Sequence, residues 1–223
     1  MFNLTSCPPV IVATVSGRSY YKITNVLKSL DLRYLSLSPE EAATSTGKVI
    51  ITTMDESKIV NRDNVYLDTQ LEESPLSIKA KILQNCMGYF GPSKEQLIIG
   101  IDPGKRIGVS ILYCYFELDR IILSSVNSTV EKISFILSSI ESPTKIVRIG
   151  DGSLVLSHQI AGILKSYFKD EVIIEIVDEY GTSIRQGTEK NRGGIRDISS
   201  ARKIAFRKGK IWNSSGNSTA LSS

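Results

Sequence analysis

Runs of β-branched and aliphatic residues punctuate the chain at short intervals, separated by turn residues and by stretches of helical spacing. Val10 to Val15 reads as a strand ending at Ser16-Gly17, and Ile23, Val26, Leu27 and Leu30 recur at the 3.6-residue period of a helix. Tyr34 to Leu37 predicts a second strand. Ser38-Pro39-Glu40-Glu41 then predicts a helix start, with Ser38 as cap and Pro39 at the first helical position. Val49 to Thr53 and Asn64 to Leu67 are further strands, and Ser74-Pro75 opens a helix through Ile78, Ile82, Leu83 and Cys86. Alternation of this kind predicts a small α/β layer over residues 1–90.

After a Gly- and Pro-punctuated linker at Gly88 to Ser93, the pattern changes. Leu97 to Asp102, Ile107 to Phe116 and Arg120 to Val126 predict three successive antiparallel strands, the last two joined near Leu118-Asp119-Arg120. A helix over Thr129 to Ile140, a strand over Lys145 to Ile149, a helix over Leu154 to Phe168 and a strand over Val172 to Val177 follow. A final helix runs from about Asp197 to Arg207, burying Ile198, Ala201, Ile204 and Ala205. The expected fold is α/β: a five-stranded mixed sheet with helices on its faces over residues 95–212. The small α/β domain of residues 1–90 precedes it and a tail over 213–223 ends it. The right-handed crossover rule sets the fourth of these strands beside the first.

Composition narrows the class without naming a function. The 223 residues, 41% apolar and 22% charged, suit a globular protein with one large or two small cores. Cys7, Cys86 and Cys114 lack metal-ligand spacing and read as buried small hydrophobes in a reducing, cytoplasmic setting. No apolar run approaches the length of a membrane span, and no basic-then-apolar leader opens the sequence. The net charge of +4 is unevenly spread. Ser183 to Lys210 holds nine basic residues against Glu189 and Asp197, a net +7, which leaves the remainder at −3. A basic segment beside carboxylates suits a polyanion whose phosphate meets a metal ion, although like-charge runs also occur as plain solvated surface.

The candidate chemistry lies in acids at predicted strand ends. Asp102 closes the Leu97 strand before a Pro103-Gly104 turn, Asp151 follows the fourth strand, and Asp178-Glu179 follows the fifth. Asp197 opens the last helix. Carboxylates gathered at one sheet edge are the hard oxygen donors that Mg²⁺ or Mn²⁺ requires for phosphodiester chemistry. Each also has a plain structural reading: Asp102 as a turn residue, Asp151 in a turn before a helix, Asp178 and Glu179 as exposed charges, Asp197 as an amino-cap. His158 reads as a surface or helix-packing residue, and Tyr20, Tyr21 and Tyr34 as cover for the first core. Ser16-Gly17-Arg18-Ser19 lacks the glycines of a phosphate loop and reads as part of a recognition or packing module.

Ile99-Gly-Ile-Asp-Pro-Gly104, Asp151-Gly-Ser153, Val177-Asp-Glu-Tyr-Gly-Thr-Ser183 and Asp197-Ile-Ser-Ser-Ala201 resemble motifs of the ribonuclease H-like superfamily, in its RuvC and YqgF-like branch of Holliday-junction resolvases. The resemblance covers residues 95–210. It implies a metal-dependent, structure-selective endonuclease acting on branched nucleic acid, with Asp102, Asp151, Glu179 and Asp197 as catalytic and metal-binding residues. Lys105, Arg106, Arg185, Lys190, Arg192 and Arg196 become the expected nucleic-acid contacts, DNA before RNA, in a chain able to form a homodimer. Two departures stand out: Ser200 occupies the place of the RuvC branch's second helix aspartate, and Tyr180 replaces the arginine of the YqgF-like motif. A non-catalytic nucleic-acid-binding relative is the alternative. An ATP-using kinase or chaperone-like ATPase would need a second nucleotide-binding lobe for which the chain has no repeat.

Overall fold

Val10–Ala13 (β1) is apolar at every position because both faces of the strand are covered. A computed structural model describes residues 8–87, 95–179 and 193–213, and the chain divides into units Met1–Phe90 and Gly91–Ser223. The first unit continues through α1 (Gly17–Ser29), β2 (Tyr34–Leu37), α2 (Pro39–Thr44), β3 (Ile50–Thr52), α3 (Ser57–Val60), β4 (Val65–Leu67), α4 (Asp68–Glu73) and α5 (Pro75–Met87). All four strands are parallel, in the order β2-β1-β3-β4. Strand alternation sorts the core. Val10, Val12 and Ile51 pack with Ile23, Leu27, Leu71 and Ile82, while Ile11, Ala13 and Ile50 pack with Ala42 and Val60. Helices α1, α4 and α5 therefore cover one face and α2 and α3 the other.

Local signals hold this unit's helix ends. Ser38 Oγ accepts from the Glu41 amide at 3.2 Å and Glu41 Oε2 accepts from the Ser38 amide at 2.8 Å, a reciprocal capping box. Helices α3 and α4 were not expected, since four and six residues are too few to display a period. Tyr20 and Tyr34 pack against the larger cluster, but Tyr21 is 68% exposed and does not cover it.

The second unit contains β5 (Gln96–Asp102), β6 (Ile107–Tyr113), β7 (Phe116–Leu123), α6 (Val126–Ser139), β8 (Thr144–Gly150), α7 (Leu154–Phe168), β9 (Ile173–Val177), α8 (Gly193–Phe206) and β10 (Lys210–Ile211). The sheet order is β10-β9-β8-β5-β6-β7, with β5, β8 and β9 mutually parallel and β6 antiparallel to both neighbours. The sheet has six strands rather than the expected five. The sixth, β10, pairs antiparallel with β9 and is followed by Trp212, whose amide donates to Ile174 O at 2.8 Å. Trp212 Nε1 also donates to His158 Nδ1 at 2.9 Å, so His158 anchors the chain beyond β10 to the outside of α7.

A second correction concerns the β6–β7 connection. The turn falls at Cys114-Tyr115, not at Leu118-Asp119-Arg120, and Tyr113 pairs directly with Phe116. Both loop residues have positive φ, 49° and 66°, the pattern of a two-residue hairpin turn that normally selects Asn-Gly. Neither Cys nor Tyr carries that signal in sequence. The register then shifts between Ile111 and Leu112, leaving Leu118 as an extra, buried residue. Val126 belongs to the following helix, not to a strand.

Candidate functional site

Alternation along β5 puts Ile98, Gly100 and Asp102 on one face of the sheet, and helix α8 covers that face. Ala205 packs among Ile98, Leu112 and Ile146. A Cβ at Gly100 would collide with the Ala201 carbonyl and lie 2.6 Å from Ala205 Cβ, so only glycine allows the helix to approach this closely. One helical turn advances about 5.4 Å, and two strand residues about 6.6 Å. Moving from Ala205 to Ala201 advances from Ile98 toward Gly100; the next turn, holding Asp197 and Ser200, therefore lies toward the Asp102 end of β5.

The helix begins at Gly193, four residues before the expected start, so Asp197 stands in its second turn and is not an amino-cap. The paired glycines 193 and 194 hide this start from a reading based on propensity. The side chains of Arg196 and Asp197 lie outside the described residues.

Glu179 reaches the same face from β9. Its Oε1 accepts from the Gly152 amide at 3.1 Å, and a Cβ at Gly150 would collide with that oxygen and meet Ile204 Cδ1 at 2.8 Å. The absence of a side chain at residue 150 thus creates the seat for the Glu179 carboxylate beneath α8. Asp151 plays a different part. Its amide donates to Val177 O at 3.0 Å, continuing the β8–β9 alignment past the strands, and its Oδ1 accepts from the Glu179 amide at 2.9 Å. One Asp151 oxygen thus holds the Glu179 backbone in place.

Asp178 and Glu179 separate in role. Asp178 is exposed and its carbonyl accepts from Arg207 Nη1 at 3.0 Å, while Glu179 is half-buried. The helix after Asp151 is capped at Ser153 without a side-chain hydrogen bond; Ser157 Oγ instead donates to Gly150 O at 2.6 Å, fixing the end of β8 from below.

The arrangement brings Asp102, Asp151 and Glu179 to the carboxyl ends of three adjacent parallel strands, the usual ligand edge of such sheets. Among the described side chains, no three His, Cys, Asp or Glu residues are grouped as a metal centre. Lys105 and Arg106 are exposed in the β5–β6 turn beside Asp102. Arg185, Lys190 and Arg192 lie outside the described residues, as does most of the Gly187 to Gly194 segment.

Sequence reasoning missed the ion pair that fixes α8. Arg148, 6% exposed, donates through Nε to Glu175 Oε2 at 2.8 Å and through Nη1 to the Ala205 carbonyl at 2.6 Å. Glu175 Oε2 also accepts from the Gly209 amide at 3.1 Å. An arginine within an otherwise apolar strand was the available signal, since such a residue is rarely buried without a partner.

Compared with known proteins, the chain matches no protein-family model and no curated sequence. None of the helices in the described residues is long and apolar enough to cross a membrane.

Proposed function

We propose that the second unit is a metal-dependent, structure-selective endonuclease of the ribonuclease H-like kind, acting on branched nucleic acid. The observation that carries this reading is the seat built for Glu179 on the α8 face of the same sheet edge that ends in Asp102. The order β7-β6-β5-β8-β9, with only β6 reversed, supports it as the sheet the sequence resemblance implies. The donor chemistry fits a hard cation: carboxylates from Asp102 and Glu179, and Asp197 on the overlying helix.

Asp102 and Glu179 would hold Mg²⁺ or Mn²⁺, with Asp197 completing the set and Asp151 fixing Glu179. When bound, the metal supplies charge neutralisation at the phosphodiester. Lys105, Arg106 and the basic segment around Lys190, Arg192 and Arg196 hold the phosphate backbone without reading bases. A non-catalytic binding relative is the second reading, favoured by Ser200 where the RuvC branch has an acid and by the engagement of Asp151 with a backbone amide.

The test is a cleavage panel of labelled single strands, duplexes, forks, four-way junctions and RNA–DNA hybrids in Mg²⁺ and Mn²⁺. The parent is expected to cut a branched substrate, and Asp102→Asn to cut it on the order of 100-fold more slowly. Equal rates for the two proteins refute the assignment. A parent that binds branched DNA with salt-sensitive affinity but cuts nothing establishes the second reading.

A further inference from the structure

The end of the second unit opposite Asp102 carries an exposed aromatic pair that the proposed cleavage site does not use. Tyr115 sits at the tip of the β6–β7 hairpin and Phe206 at the end of α8; their rings stack with centroids 6.4 Å apart and planes 21° from parallel. Tyr115 is 48% exposed and Phe206 45%. Arg202 lies over the Phe206 ring at 5.2 Å. Its guanidinium is held 3.9 Å from Glu117, which accepts from buried Ser110 at 3.2 Å and pairs with Arg120 at 3.0 Å. Tyr115 Oη donates to Gln96 at 3.3 Å. The rings are therefore fixed at the surface from below and from the side, rather than loosely displayed.

Two further features single out this patch. Tyr115 holds φ 66° behind Cys114 at 49°, a backbone that Asn or Gly would adopt with less strain. A bulky residue in a strained, exposed position points to a use for the ring itself. Arg202 and Lys203, on the α8 turn before Phe206, are exposed, and Arg120 meets Arg202 at Glu117, so cations flank the rings.

We propose that Tyr115 and Phe206, backed by Arg202, form a stacking platform for an unpaired base of a single-stranded polynucleotide, with Arg202, Lys203 and Arg120 beside the rings to meet its phosphates. Aromatic faces and an electropositive track are the two components of sequence-tolerant single-strand binding. The strand β5 separates the platform from Asp102 by about 20 Å, so a strand cut at the acidic edge would be gripped several nucleotides away. In that respect the inference rests on the nuclease reading and adds a substrate feature to it: an unpaired arm beside the branch.

The test titrates the full chain into labelled single strands of ~12 nucleotides, in DNA and RNA forms, and into a blunt duplex of the same sequence. The variants are Phe206→Leu, which keeps apolar bulk without the ring, and Tyr115→Asn, which removes the ring and suits the backbone. Each is expected to weaken single-strand binding about tenfold and leave duplex binding unchanged, with the Tyr115→Asn Tm at or above the parent's. Unchanged single-strand affinity, equal losses for both substrates, or a Tm falling by several degrees in Tyr115→Asn overturns the proposal. So does a parent that binds no oligonucleotide at low salt, which would assign the patch to a protein partner. Cutting by the parent and by Asp102→Asn is measured alongside. Asp102-dependent cutting with unchanged variant binding sinks the platform alone, whereas selective single-strand loss without cutting sinks the nuclease reading alone.

Discussion

Replacing Arg148 by methionine should loosen α8 from the sheet, and the cost can be worked from its contacts. The side chain is about as long as arginine's aliphatic part, so the main loss is electrostatic rather than a cavity. Glu175, whose side chain is 13% exposed, loses its ion-pair partner, and the Ala205 carbonyl loses a 2.6 Å hydrogen bond in a buried setting. Removing one partner of a buried pair typically costs about 3–5 kcal/mol, because the remaining charge is stranded. Trp212, the chain's single tryptophan, is tied to β9 and His158 and so reports on this unit by fluorescence. With a urea dependence of about 1.5 kcal/mol per molar, the midpoint should fall by roughly 2–3 M. The double variant Arg148→Met/Glu175→Leu should recover more than half of that loss, since an apolar pair strands no charge. A single-variant shift below about 0.5 M, or a double variant no better than the single, would show that the pair does not anchor the helix.

Three other outcomes are expected. Gly150→Ala sets a methyl against the flexible ends of Glu179 and Ile204, which can swing aside; it should lower stability by no more than about 1 kcal/mol by Trp212 fluorescence, and a loss of several kcal/mol would show that the Glu179 seat is rigid. Burial, reinforced by Glu95, pushes the Cys114 thiol up to about 11. Its alkylation by iodoacetamide in the folded protein should be very slow at pH 8 and rise about tenfold per pH unit toward that value; complete labelling within minutes at pH 8 would contradict this. Burial pushes the Glu56 carboxyl up, but bonds from Thr14, Thr53 and the Val15 amide outweigh it and hold it below the ordinary glutamate range. Its stabilisation is therefore present above about pH 4.3 and lost as pH falls further. Protection of the β1 amides against hydrogen exchange should weaken with acid more steeply in the parent than in Glu56→Gln, and parallel profiles would refute the assignment.

What the sequence by itself determined follows from one physical fact: a strand covered on both faces must be apolar throughout. That made β1, β3, β5, β6 and β8 legible as runs, and Ser38-Pro39-Glu40-Glu41 legible as a helix start whose capping atoms lie within four residues. The strand ends then indicated Asp102, Asp151 and the Asp178-Glu179 pair. Tertiary structure decided everything that depends on residues far apart in the chain. Cys114-Tyr115 turns a hairpin without turn residues, because the paired strands β6 and β7 over-determine it. β10 exists because Trp212 and its neighbours find β9 and α7, which no pattern of two residues can announce. Glu179 and Asp178 are adjacent and chemically alike; Glu179 was assigned to the site by resemblance alone, and only the vacancy above Gly150 and the amides of Gly152 and Glu179 give a physical reason why it turns under α8 while its neighbour faces water. Arg148 acquired its meaning in the same way. An isolated charge in an apolar strand is costly by local rules, and it is tolerated because Glu175 and the Ala205 carbonyl, 27 and 57 residues away, are brought to meet it.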